Sequence, residues 1–139
     1  AQVILPRLDG DFASLCEALC QRRLRDYQGS WKKAAAVCVV LASGGYPGAY
    51  AKGKTISGLK MAEEDERVVI FHSGTRREGS DFVTDGGRVL GVTALASDLS
   101  SAVMSAYEAV NKIHFEGMHY RRDIGLKGLA PGARPVASP

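Results

Sequence analysis

The 139-residue chain is 45% hydrophobic and 24% charged, values that allow a moderate buried core and exclude disorder along most of its length. Its formal net charge of +3 is mild, and the densest basic run, Gln21-Arg22-Arg23-Leu24-Arg25, has no interleaved aromatics for base stacking, which argues against a nucleic-acid partner. The three cysteines, Cys16, Cys20 and Cys38, form neither an even disulfide framework nor a Cys-x-x-Cys pair, and no apolar run has membrane-spanning length, so a cytoplasmic protein with reduced thiols and no membrane partner is expected.

The chain opens inside an apolar segment, Ala1-Gln2-Val3-Ile4-Leu5-Pro6, with no initiating Met and no signal-peptide pattern, and is expected to be a piece of something longer. Asp9 or Asp11 can cap a first helix, in which Phe12, Leu15, Cys16, Leu19 and Leu24 recur at helical spacing. The basic run falls where that helix should end, and cations there complement its dipole. Residues 26–33 form a polar connector around Gly29-Ser30 and Trp31, the expected domain boundary. Residues 34–42 are a continuous apolar run that predicts a strand buried on both faces, closed by the turn Ser43-Gly44-Gly45-Tyr46-Pro47-Gly48.

Residues 48–55 (Gly-Ala-Tyr-Ala-Lys-Gly-Lys-Thr) satisfy the phosphate-loop pattern G-x-x-x-x-G-K-[ST]. That motif works only if the loop feeds at once into a helix whose N-terminus faces the phosphates. Ile56-Ser57-Gly58-Leu59 starts a helix poorly, so a nucleotide-binding module built on this loop stands as the alternative reading. A second strand is expected over residues 67–72. Next, Phe82-Val83-Thr84 should reverse through Asp85-Gly86-Gly87, whose glycines tolerate positive φ, into Arg88-Val89-Leu90 as a hairpin. Ser97 or Asp98 can cap a helix to about Lys112, with Leu99, Ala102, Val103, Ala106, Ala109, Val110 and Ile113 as its apolar stripe. Residues 115–125 mix aromatics, Arg121-Arg122 and Asp123 beyond what a plain closing strand needs, and residues 130–139 read as a flexible tail.

No complete catalytic set is visible. His72, His114 and His119 are isolated, Asp85, Glu116 and Asp123 form no dyad, and Ser43 has no readable His and Asp partners. What the residues do offer is cations beside glycines: Lys52 and Lys54, Arg88, and Arg121 with Arg122. Such groups suit an anionic ligand, because arginine presents a bidentate fork and glycine admits backbone N–H groups. Arg88 taken alone reads as a solvated charge at a hairpin exit.

Four stretches then carry a resemblance: residues 41–53 (Leu-Ala-Ser-Gly-Gly-Tyr-Pro-Gly-Ala-Tyr-Ala-Lys-Gly), 69–75, 86–94 (Gly-Gly-Arg-Val-Leu-Gly-Val-Thr-Ala) and 106–125. In this order they resemble the signature blocks of the C-terminal domain of glycinamide ribonucleotide synthetase, an ATP-grasp ligase. Residues 2–8 resemble the segment that in the family follows the magnesium-binding acidic loop. The chain departs from the family pattern at Gly45, where Lys is frequent, and at Lys54-Thr55. The resemblance implies an α+β fold, a mostly antiparallel sheet with one long packed helix, preceded by a helix left over from the ATP-grasp domain. It divides the chain into residues 1–30, the tail end of that domain, residues 31–129, a substrate-closing domain, and the 130–139 tail.

It further implies a part in joining glycine to 5-phosphoribosylamine during purine synthesis. ATP, with magnesium, phosphorylates the glycine carboxylate, and the amine attacks the acyl phosphate. Gly86, Gly87 and Arg88 match the Gly-Arg loop that holds the substrate phosphate in related enzymes, and Tyr120, Arg121 and Asp123 are expected to line or brace that site. The implied partners are the missing ATP-grasp and N-terminal domains of the same polypeptide, and no cofactor is expected on this chain alone, which would be inactive by itself. A purely structural domain is the remaining alternative.

Overall fold

The structure is a computed structural model that describes residues 1–129; the expected tail over 130–139 lies outside the described residues. Two short strands, β1 (Leu8–Asp9) and β2 (Ser30–Trp31), pair antiparallel around helix α1 (Phe12–Cys20). Of the two candidate caps Asp11 is the one used, accepting the Ser14 N–H at 2.7 Å and the Ser14 hydroxyl at 2.6 Å. The hydroxyl and amide together hold its carboxyl below the usual carboxylate range. The helix ends at Cys20, short of the expected Leu24, and no residue of it is buried: Phe12 and Leu19 are 50% and 52% exposed.

The body of the protein follows: β3 (Ala35–Ala42), β4 (Thr55–Ile56), α2 (Leu59–Glu63), β5 (Val68–His72), β6 (Thr75–Glu78), β7 (Asp81–Thr84), β8 (Arg88–Ala96) and α3 (Leu99–Lys112). They make two antiparallel three-stranded sheets, one ordered β3-β8-β5 and the other β4-β7-β6. The fold class is α+β. Helix α3 runs as its apolar stripe requires. Asp98 caps it by accepting the Ser101 N–H at 2.9 Å, and Ala102, Val103, Ala106, Ala109 and Val110 bury against Val37, Val39, Leu41, Val89 and Val92. The many alanines let helix and sheet approach closely, which makes this the core.

Three expectations are corrected. Strand β3 is not buried on both faces: Val37, Val39 and Leu41 face the core, while Val40 is 39% exposed. The outward residues are small apolar ones, so the sequence shows no alternation although the environment does. Part of that outer face is covered by Gln2, which fits over Gly91. A Cβ there would lie 2.7 Å from its Oε1, and Thr93 Oγ1 donates to the Gln2 carbonyl at 3.1 Å.

Nor do β7 and β8 form a hairpin. β7 turns back on β6, with Glu78 opposite Asp81, so Gly79-Ser80 is the two-residue hairpin loop, with Gly79 at φ 58°. Residues 85–87 instead carry the chain from one sheet to the other. Their glycines are not in the left-handed region either. They are glycine because space is short: a Cβ on Gly86 would lie 2.8 Å from the Gly74 Cα, and one on Gly87 would lie 2.1 Å from the Tyr46 ring.

Candidate functional site

Residues 85–88 leave the second sheet at Thr84 and enter β8 at Arg88, crossing the end of β5 at Ser73-Gly74. The crossing is tied by backbone hydrogen bonds, Asp85 N–H to Gly74 O at 2.7 Å, Gly74 N–H to Arg88 O at 2.8 Å and Ser73 N–H to Val89 O at 3.0 Å. From the other side, buried Ser43 donates its hydroxyl to Gly86 O and its N–H to Gly87 O, each at 2.8 Å. The turn is thus held on both flanks, with little freedom to reorganise around a ligand.

These elements wall an open cleft of about 660 Å³, lined by Gln2, Val40, Tyr46, Ser73, Gly74, Gly87 and Arg88 among others. Arg88 is exposed and forms no ion pair among the described residues. The neighbouring carboxylate, Asp85, is engaged by Lys52 at 3.3 Å. The N–H groups of Gly86 and Gly87 donate to no described residue. A guanidinium without a carboxylate, next to unspent backbone donors in a concave wall, is an anion-binding arrangement.

Of the six expected site residues, Gly87 and Arg88 line this cleft, and Gly86 precedes them in the same turn. Tyr120, Arg121 and Asp123 do not line it. Arg121 is spent on Asp123, donating from Nε at 2.9 Å and from Nη2 at 2.6 Å. This fork holds the Asp123 carboxyl below its ordinary range and raises Arg121. Tyr120 is half-buried against the core, under Arg122. The segment is fixed by the Tyr107 hydroxyl, which donates to Arg121 O at 2.8 Å and accepts from Ile124 N–H at 3.1 Å; burial pushes that phenol up. It reaches the cleft only through backbone: His119 pairs with Ala42, which lies opposite Arg88.

Tyr46, Ser73 and Gly74, which line the wall, and Ser43, which bonds to the turn from behind it, are residues that sequence reasoning did not select. Residues 43 and 46 lie in a turn already noted, but only the fold puts that turn against residues 86–87. The phosphate-loop match behaves differently. Thr55 enters β4, not a helix, and α2 starts only after Gly58 and spans five residues without a side-chain cap. Two of the loop's backbone donors are engaged, Gly53 N–H on Thr84 O at 2.7 Å and Lys54 N–H on Thr84 Oγ1 at 3.1 Å. Lys54 itself is paired with Glu116 at 2.7 Å.

The profile of the family described as "Phosphoribosylglycinamide synthetase, C domain" matches residues 36–127. The chain belongs to this family. Its match begins within β3 and takes in the whole of the cleft turn and of α3. The chain is 47% identical over 129 residues to phosphoribosylamine–glycine ligase of Synechocystis, covering 92% of this chain and 30% of that protein. To the Halalkalibacterium halodurans enzyme of the same name it is 46% identical, with 95% and 30% covered. A crystal structure of phosphoribosylamine–glycine ligase from Thermotoga maritima superposes with a TM-score of 0.58 at 40% identity, over 68% of this chain and 22% of that one. The chain therefore spans about 30% of the length of the curated relatives it matches. Among the described residues no helix is long and apolar enough to cross a membrane.

Proposed function

We propose that this chain is the substrate-closing part of a cytoplasmic ATP-dependent ligase of purine synthesis that joins glycine to 5-phosphoribosylamine. Its own contribution is to hold the ribose phosphate. The observation that carries this reading is Arg88, exposed and unpaired on the wall of the cleft beside Gly87. A guanidinium fork matches two phosphate oxygens, and a rigid wall places it without reorganisation. Gly86 and Gly87 admit the phosphate to the backbone. Tyr120, Arg121 and Asp123 brace the wall through the His119–Ala42 pairing.

In the whole enzyme, ATP with magnesium would convert the glycine carboxylate to an acyl phosphate, which the phosphoribosylamine nitrogen attacks, releasing phosphate. Among the described residues no group of three His, Cys, Asp or Glu is placed to hold a metal ion. The residues for that chemistry belong to the rest of the longer polypeptide, and the bare apolar stripe of α1 supports packing against it. Phe12, Leu19 and Leu24 each stand about half exposed, and single helices of this length are marginal without a tertiary partner.

The test is Arg88→Ala in the full-length enzyme. Loss of one charge-assisted contact costs roughly 1.5–3 kcal/mol, so the apparent KM for phosphoribosylamine should rise by about tenfold to a hundredfold, with the KM values for glycine and ATP unchanged. An unaltered KM for phosphoribosylamine would overturn the assignment.

A further inference from the structure

Ser43 takes no part in any expected site, yet it is 3% exposed and spends both its donors on the turn that carries Arg88. Its hydroxyl holds Gly86 O and its N–H holds Gly87 O, each at 2.8 Å, while its own carbonyl accepts the Tyr46 N–H at 3.1 Å. The Gly86–Gly87 peptide is trans, and in a planar trans peptide the N–H points opposite to the C=O. With Gly86 O drawn towards Ser43, the Gly87 N–H is turned away from it. That N–H donates to no described residue although Gly87 is buried, and buried backbone donors are almost always paired. Gly87 lines the same cleft as Arg88.

We infer that Ser43 is a positioning residue that locks the Gly86–Gly87 peptide so that the Gly87 N–H becomes a second donor, beside Arg88, to the phosphate of the ligand. This rests on the phosphate reading of the cleft and deepens it. Arg88 supplies charge and a planar fork, whereas the Gly87 amide supplies a fixed direction from the backbone. Tyr46 completes the device: its ring occupies the place of a Gly87 side chain, within 2.1 Å of where a Cβ would be, and so keeps the peptide from rolling over.

The experiment uses the full-length enzyme labelled with [15N]glycine and titrated with ribose 5-phosphate. The Gly87 amide proton should move downfield on binding. Ser43→Ala should weaken binding by about tenfold, the cost of one hydrogen bond to a charged group, and remove the Gly87 shift. Ser43→Thr, which keeps the hydroxyl, should restore part of both. If Arg88→Ala loses binding while the wild-type Gly87 amide does not respond, or Ser43→Ala binds like wild type, the role of Ser43 is overturned and the phosphate site stands. If Arg88→Ala binds like wild type, the phosphate site itself is overturned. Should Ser43→Ala fail to fold, the wild-type Gly87 response decides alone.

Discussion

Two glycine-rich turns lie side by side in this protein and have opposite histories. The 48–55 loop fits a nucleotide-binding pattern residue for residue, yet it feeds a strand instead of a helix, the Gly53 and Lys54 amides are bonded to Thr84, and its lysines are paired with Glu116 and Asp85. The 85–88 turn fits no general pattern, yet it keeps two amides and a guanidinium unspent. A binding motif is a statement about donors left over after folding. Where the fold pairs the lysines and sets no helix behind the loop, matching letters carry no chemistry.

The sharpest way to break the contrast is to damage the support of the second turn. A Cβ on Gly74 would lie 2.6 Å from both the Arg88 carbonyl oxygen and the Gly86 Cα. These are backbone atoms that cannot rotate aside, so Gly74→Ala should cost about 3 kcal/mol, the upper end for overpacking. Gly48→Ala, where the nearest atom is Gly45 O at 3.1 Å, should change stability by less than about 0.5 kcal/mol. Urea denaturation of both variants checks this, and equal losses would mean that the two turns are equally constrained.

Chemistry gives the next effect. Arg88→Lys keeps the charge but loses the planar fork, so the KM for phosphoribosylamine should fall between wild type and Arg88→Ala. A lysine variant as poor as alanine would show that geometry dominates, and one as good as wild type would show that charge alone suffices.

A smaller effect separates the two arginine sites. Tyr107→Phe leaves the Arg121 carbonyl and the Ile124 N–H without their partner, at a cost of about 1–2 kcal/mol in thermal or urea unfolding. Binding at Arg88 should hardly change, because the bracing reaches it only through the backbone of residues 42 and 119. For Asp123, whose carboxyl Arg121 depresses, stability from the pair is present above the unfolded value of about 3.9 and is lost as pH falls through the lower folded one. An NMR titration should find its midpoint below 3.8, rising in Arg121→Ala. A midpoint at or above 3.8 would deny the ion pair in solution.

How far the sequence reached differs by region. Helix α3, its Asp98 cap and β5 follow from periodicity and capping, because those signals are local and tertiary packing agrees with them. The pairing of β7 was misread for a physical reason: Asp-Gly-Gly is a stronger turn signal than Gly79-Ser80, and only the packing of Gly74 on Gly86 shows that it serves as a crossing. At the candidate site, Gly86, Gly87 and Arg88 are singled out by a resemblance carried by their own letters, and the fold sets Gly87 and Arg88 on the cleft wall. Ser43 is not singled out, since its partners are carbonyl oxygens 43 residues away in the chain, and backbone acceptors leave no trace in composition. Tyr120, Arg121 and Asp123 drew notice as charged and aromatic residues in a closing segment, the features that also mark a self-satisfied ion pair.

The smallest effect is the one that tests the contrast at its other end. Lys54 lies 2.7 Å from Glu116, with the two side chains 32% and 77% exposed, so their attraction is largely screened and Lys54→Ala should cost less than about 1 kcal/mol. If the 48–55 loop cradled a nucleotide, its lysine would contact the terminal phosphates, and its loss would abolish binding. Calorimetry of this chain with magnesium-ATP should instead show no binding that depends on Lys54. Tight binding lost in Lys54→Ala would mean that the loop can release Glu116 and Thr84 for a ligand, and the donors counted as consumed would have to be counted as held in reserve.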